Sequence, residues 1–153
     1  MAFEIRVESK LSTTPEVLWA HVCTMEGVNE ELSPWVRMSV PSEARGHSLN
    51  DVALGELAFR SWLLLLGFLP FDRHALCLVE MEPGRRFLER SSSFLQKLWE
   101  HERIVEPCEG GARIVDRLKV EPRLFFVSLL SRFVVRALFR HRHRRLRRRF
   151  GTG

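Results

Sequence analysis

The sequence predicts an α+β domain in which a curved antiparallel β-sheet wraps around one long C-terminal α-helix, with two short helices after the first strand. Three observations carry this. Apolar and polar residues alternate near the N-terminus and again through residues 97–106 and 113–121, the period of strands with one buried face. Helix-start residues follow the first of these runs. The chain closes on a stretch, roughly Leu124 to Phe150, whose Phe126, Leu130, Phe133, Ala137, Leu146 and Phe150 can line one helical face.

Phe3, Ile5 and Val7 face one way, and Glu4, Arg6, Glu8 and Lys10 the other, as in a half-buried strand. Thr13 with Glu16 fits a capping box and Pro15 suits a first turn. Val17, Leu18, His21, Val22 and Met25 then form a helical stripe, and Gly27 allows a break before a second short helix ending near Leu32. Pro34 closes it, Trp35–Val40 reads as the second strand, and Pro41–Asp51 as a polar loop. Residues 57–69 are ambiguous between buried strand and short buried helix; Leu63 to Leu66 favour helix on propensity. Ala75–Met81 is a strand, and Pro83-Gly84 a tight turn into a three-strand meander.

The charges of residues 86–121 fix the meander's register. Folding Lys97–Glu106 on Arg113–Glu121 about Gly110-Gly111 sets Cys108 against Gly111, Glu102 against Arg117, and Glu100 against Lys119 on the polar face. The same register sets Arg103 against Asp116 on the apolar face, where an unpaired charge would be costly. A loop at Leu95-Gln96-Lys97 then places Arg90 beside Glu102 outside, with Glu89 beside Arg103 and Ser91 beside His101 inside. The result is an apolar face of Phe87, Trp99, Val105, Ile114, Leu118 and Val120 carrying the polar group Glu89, Ser91, His101, Arg103 and Asp116. A few convergent polar groups on an apolar surface are what a small-molecule pocket needs.

Composition narrows the function classes. The 153 residues suit one domain spanning 1–153, and 45% hydrophobic with 28% charged content is ordinary for a globular chain. The longest apolar run, Trp62–Phe71, is broken by Gly67 and Pro70 and is about half of the ~20 residues a membrane span requires. The strand-like opening leaves no room for a signal peptide, and three cysteines without metal spacing point to reduced thiols in a cytoplasmic protein. The net charge of +5 is local: eight arginines in residues 136–149 supply +8, leaving −3 for everything else.

The element order, the Thr-Thr-Pro-Glu-Val-Leu-Trp at 13–19, the Trp99-x-His101 strand and the Gly-Gly-x-x-x-x-Asp at 110–116 resemble the START-like superfamily. That group includes Bet v 1-type helix-grip proteins and polyketide cyclase-like (SRPBCC) domains. The resemblance covers nearly the whole chain and departs at residues 57–69, where a simple third strand would be expected. It implies a cavity between sheet and helix that binds an apolar small molecule or lipid; a minority of the group are cyclases or other enzymes.

The leading expectation is therefore a non-catalytic binding or carrier module, with ligand contacts from Phe87, Glu89, Ser91, Trp99, His101, Arg103, Asp116 and Leu118 and no cofactor. One rival is a cyclase- or dehydratase-like enzyme with His101 as acid/base and Arg103 polarising a carbonyl. A Ser91–His101–Asp116 triad is rejected, because Arg103 competes for Asp116 and no nucleophile elbow is present. His21, His47, His74, His141 and His143 lack metal spacing and suitable partners. The other rival works through the arginine end, since eight arginines exceed what a helix dipole needs. With no aromatic residues among Arg140–Arg149 to stack bases, weak salt-sensitive contact with an anionic membrane surface is expected there, and no specific nucleic-acid recognition.

Overall fold

In the computed structural model, which describes residues 2–152, the sheet and helices follow the hydrophobic patterning closely. The strands are β1 (Phe3–Leu11), β2 (Val36–Met38), β3 (Phe59–Leu65), β4 (Leu69–Leu76), β5 (Leu78–Glu82), β6 (Arg86–Ser93), β7 (Gln96–Cys108) and β8 (Gly111–Pro122). The helices are α1 (Pro15–Val22), α2 (Met25–Leu32) and α3 (Ser128–Phe150). The antiparallel sheet runs β1-β8-β7-β6-β4-β3-β2, with β5 also on β6, and it curls around α3.

The caps explain where the short helices begin. Thr14, one residue later than the capping-box pattern predicts, accepts from the Val17 N–H at 3.2 Å. Thr24 caps α2 through the Gly27 N–H at 3.0 Å. Gly27 thus lies inside α2 and does not make the break. Its role is close approach, since a Cβ there would sit 1.8 Å from the His21 carbonyl oxygen. At the far end, Gly151 caps α3, and its carbonyl accepts from the Ser12 N–H at 3.1 Å, tying the helix terminus to the end of β1.

Residues 57–69 are not a helix. They form β3 and the turn into β4, reversed by Leu66 (φ 54°) and Gly67 (φ 86°), the paired left-handed residues of a primed hairpin turn. Pairing with β2 on one side and β4 on the other outweighs leucine's helix propensity. Ala75–Met81 is likewise two strands, β4 and β5, broken at Cys77, whose N–H donates to Ser91 Oγ at 3.0 Å.

The β7–β8 register is the expected one, with Glu102 opposite Arg117, Glu100 opposite Lys119, Arg103 opposite Asp116 and Cys108 opposite Gly111. The β6–β7 register differs by two residues: Arg90 faces Glu100, Glu89 faces His101, and Ser91 faces Trp99. Arg86 takes Glu102 instead, at 2.8 Å, while Arg90 bonds Glu100 at 3.0 Å. A two-residue slip keeps every side chain on its face and satisfies opposite charges in both registers. The shorter connection decides it, Phe94-Leu95, closed by the Gln96 N–H donating to Ser93 Oγ at 3.0 Å.

The core has two apolar clusters. One gathers Leu11, Leu18, Trp19, Val22, Phe87, Val105, Ile114 and Leu146 beneath α1 and α2. The other joins Phe3, Ile5, Leu118 and Val120 to Val135 and Phe139 of α3. The buried face of α3 is therefore Val135, Phe139, Arg142, His143 and Leu146, whereas Phe126, Leu130 and Phe133, expected on it, are exposed. The helix begins only at Ser128, so its first turns extend past the packed part of the sheet.

Candidate functional site

Between the two apolar clusters, positions 101, 103 and 116 of β7 and β8 place polar side chains on the inner face, where strand alternation alone would put apolar ones. Arg103 is the hub. It donates from Nε to Asp116 Oδ1 at 2.7 Å and from Nη2 to Asp116 Oδ2 at 2.8 Å. Its other edge grips Glu31 of α2, Nη1 to Oε2 at 3.0 Å and Nη2 to Oε1 at 2.8 Å. Arg142 of α3 adds a bond to Glu31 Oε1 at 3.0 Å. Such two-toothed pairs are the strong form of a buried ion pair.

Asp116 also accepts from His101 Nε2 and His143 Nε2, both at 2.6 Å. A carboxylate has only acceptors, so both rings must present Nε2–H. In a neutral His143 the free Nδ1 then accepts from Ser9 Oγ at 2.8 Å, and Ser9 Oγ accepts from Arg147 at 2.9 Å. A second buried arm runs across β6 to β4. His74 of β4 bonds Glu89 Oε2, Ser91 Oγ donates to the same oxygen at 2.7 Å, and His101 Nδ1 lies 3.8 Å from Glu89 Oε1.

Electrostatics favour the charged forms of the carboxylates. Burial alone would raise the pKa of Asp116, but the Arg103 guanidinium and the His101 contact hold it well below the ordinary range. Burial opposes Glu31 in the same way and is outweighed by Arg103 and Arg142. Burial likewise opposes Glu89, which His74 and His101 push down. For His74, burial favours the neutral ring, yet the charge and hydrogen bond of Glu89, with Asp72 nearby, raise its pKa above 6.5.

The arrangement thus brings Glu89, Ser91, His101, Arg103 and Asp116 together as the patterning predicts, but as a sealed lattice. Arg103 and Asp116 are fully buried, and Asp116 already accepts four hydrogen bonds. Phe87 packs on Trp19 and His101, and Leu118 lies inside the second cluster, so the space expected as a cavity at this level is filled. Two hollows lie elsewhere. One of about 240 Å³ is bounded by Met25, His47, Leu49, Val52 and Phe59. The other, about 380 Å³, is bounded by Val17, His21, Glu30 and Phe150. Of the expected contact residues only Trp99 is partly exposed; its ring meets His74 edge-on at 6.0 Å and Phe139 at 6.1 Å.

Sequence reasoning missed Glu31, Arg142, His143, Ser9 and His74. A signal existed for the helical ones. Arg142 and His143 fill the slots three and four residues after Phe139, and Glu31 stands between Val28 and Leu32 on the buried stripe of α2. Ser9, His143 and Asp116 form a Ser-His-Asp chain, but Ser9 is buried near the end of β1 with its oxygen already held by Arg147. No attacking position is open there.

The fold has clear relatives. Protein CV1439 from Chromobacterium violaceum superposes with a TM-score of 0.73 at 14% identity, covering 98% of this chain and 99% of that one. Ara h 8.0201 gives 0.58 at 10% identity over 93% and 95%. The AHSA1 protein from Silicibacter pomeroyi gives 0.56 at 19% identity over 85% and 88%. At such identities the likeness is one of fold, and the fold is the START-like helix grip expected from the sequence. No curated protein matches the sequence. The DUF8410 model, described as a domain of unknown function, matches residues 9–150, and the chain therefore belongs to the DUF8410 family.

Proposed function

We propose that the protein binds an apolar small molecule or lipid, without transforming it, between the β3–β4 hairpin and the first half of α3. The observation that carries this is apolar surface left open on both lips. Leu65, Leu66, Leu69, Trp35 and Val134 are each at least 41% exposed, more than a closed core would leave. Trp35 joins the lips: its carbonyl accepts from the Leu66 N–H at 2.7 Å, and its ring meets His141 of α3 at 6.4 Å. Val134 lies two turns before His141 on the same side of the helix. Partly exposed Trp99 is the nearest of the inner-face aromatics to solvent, and the buried His74–Glu89 pair fixes its ring from behind.

In this reading Arg103, His101 and Asp116 position the floor from beneath. A cyclase- or dehydratase-like role is less well supported, because Arg103 spends both edges on Glu31 and Asp116. Native mass spectrometry of the purified protein should show a co-purified apolar molecule. Nile red, an uncharged apolar probe, should bind and raise Tm by mass action. Trp99→Ala and Val134→Lys should each weaken that binding about tenfold, the scale of one lost aromatic or aliphatic wall. Unchanged Nile red affinity in both variants would overturn the reading.

A further inference from the structure

The outward face of α3 changes character along its length. In and just before its first turns, Phe125, Phe126, Leu129, Leu130 and Phe133 are 64–81% exposed. The β6–β7 turn adds Phe94 and Leu95, held beside this segment by the Arg123 N–H donating to the Leu95 carbonyl at 3.0 Å. Further along, Arg136, Arg140, Arg144 and Arg148 recur every fourth residue as a ridge. Among the described residues none of the four has an ion-pair partner, whereas Arg142, Arg145, Arg147 and Arg149 are all bonded to the body of the fold. With about 100° per residue, Leu130, Phe133, Ala137, Arg140, Arg144 and Arg148 fall within about 80° of one another, opposite buried Phe139 and Leu146.

Like charges four residues apart repel along a helix, and the helix dipole offsets this only in the last turn, at Arg148. We propose that α3 is an interfacial membrane anchor: the apolar side chains exposed around its first turns enter the headgroup boundary of an anionic bilayer, and the Arg136–Arg140–Arg144–Arg148 ridge grips lipid phosphates beside it. Arginine suits that role through paired N–H bonds to phosphate oxygens. Among the described residues no helix is long and apolar enough to cross a bilayer, so the helix lies in the interface plane. A nucleic acid would match the ridge alone and leave the exposed apolar side chains without a partner. A second copy fits poorly too, since parallel docking sets arginine against arginine and antiparallel docking sets arginine against leucine and phenylalanine. This inference goes beyond the ligand reading and does not depend on it.

The test is co-sedimentation of the whole chain with phosphatidylcholine vesicles, with and without phosphatidylglycerol, from 0.01 to 0.5 M salt. The parent should bind only the anionic vesicles and keep a salt-resistant fraction. Arg140→Gln/Arg144→Gln/Arg148→Gln should lower partitioning about a hundredfold at low salt, with an unchanged circular dichroism spectrum. Phe133→Glu, at an exposed site, should abolish the salt-resistant fraction and leave the low-salt binding fully screened. Equal binding of parent and arginine variant at every salt would overturn the proposal. So would tighter binding to duplex DNA that Phe133→Glu leaves unaltered, or a parent dimer that Phe133→Glu dissociates without any vesicle binding.

Discussion

Arg103 and Asp116 face each other across the β7–β8 hairpin through bonds of 2.7 and 2.8 Å, and neither exposes any surface to water. The pair joins three layers of the molecule. Arg103 reaches α2 through Glu31, and Asp116 reaches α3 through His143. Both helices are therefore positioned by one guanidinium and one carboxylate at the centre of the sheet.

Replacing Arg103 by Met keeps an unbranched side chain in place but leaves Glu31 and Asp116 buried with fewer partners. Breaking a buried pair in this way costs about 3–5 kcal/mol, a large share of a domain's total stability. Urea unfolding of Arg103→Met should show that loss. Adding Asp116→Asn should recover part of it, because Arg142 still pairs with Glu31 and the charge left uncompensated is that of Asp116. Additive losses in the double variant would mean the two residues do not act as a unit.

Gly27→Ala tests the approach of α2 to α1. The new Cβ would lie 1.8 Å from a backbone oxygen, His21 O, which cannot swing aside as a side chain does. Overpacking of this kind costs about 1–3 kcal/mol. The urea midpoint should fall accordingly, against alanine's small gain in helix propensity. A midpoint at or above the parent's would show that the two helices separate freely.

Leu66 holds a left-handed conformation (φ 54°) that costs an L-residue about 1–2 kcal/mol, and its side chain is mostly exposed. Asn before Gly67 is the favoured pair for such a turn. Leu66→Asn should therefore raise stability by about 1 kcal/mol. If Leu66 is also a lip of the ligand groove, the same variant should bind Nile red less tightly, a gain in stability at the expense of function. A variant both more stable and equally good at binding would remove Leu66 from the site.

The sequence showed the β7–β8 hairpin to the residue, because a one-residue slip would have set Arg103 and Asp116 on opposite faces. It misplaced β6 by two residues, a shift to which face alternation is blind. The face of α3 was misread for a related reason. Phe126, Leu130 and Phe133 look like core by composition, and Arg142 and His143 look like surface, yet burial depends on where the sheet ends and on carboxylates supplied from distant strands. Pairing partners 111 residues apart, such as Glu31 and Arg142, leave no local mark.

His74 gives the fold a pH dependence of defined sign. Burial lowers its pKa, but Glu89 raises it further, so the folded protein holds the proton more tightly than the unfolded chain does. That contribution is fully present below the unfolded value of 6.5 and is lost as pH rises through the folded value. Glu89, Glu31 and Asp116 titrate in the opposite sense and at lower pH: their contribution is present above the ordinary carboxylate range and fades only in acid. His21, whose pKa burial pushes down, also acts on the acid side of 6.5. Between pH 6 and 9 the urea midpoint of the parent should therefore decline, and His74→Gln should flatten that decline while lowering stability at pH 6. Parallel curves for parent and variant across this window would mean that His74 is neutral in the folded protein and that its bond to Glu89 carries no charge.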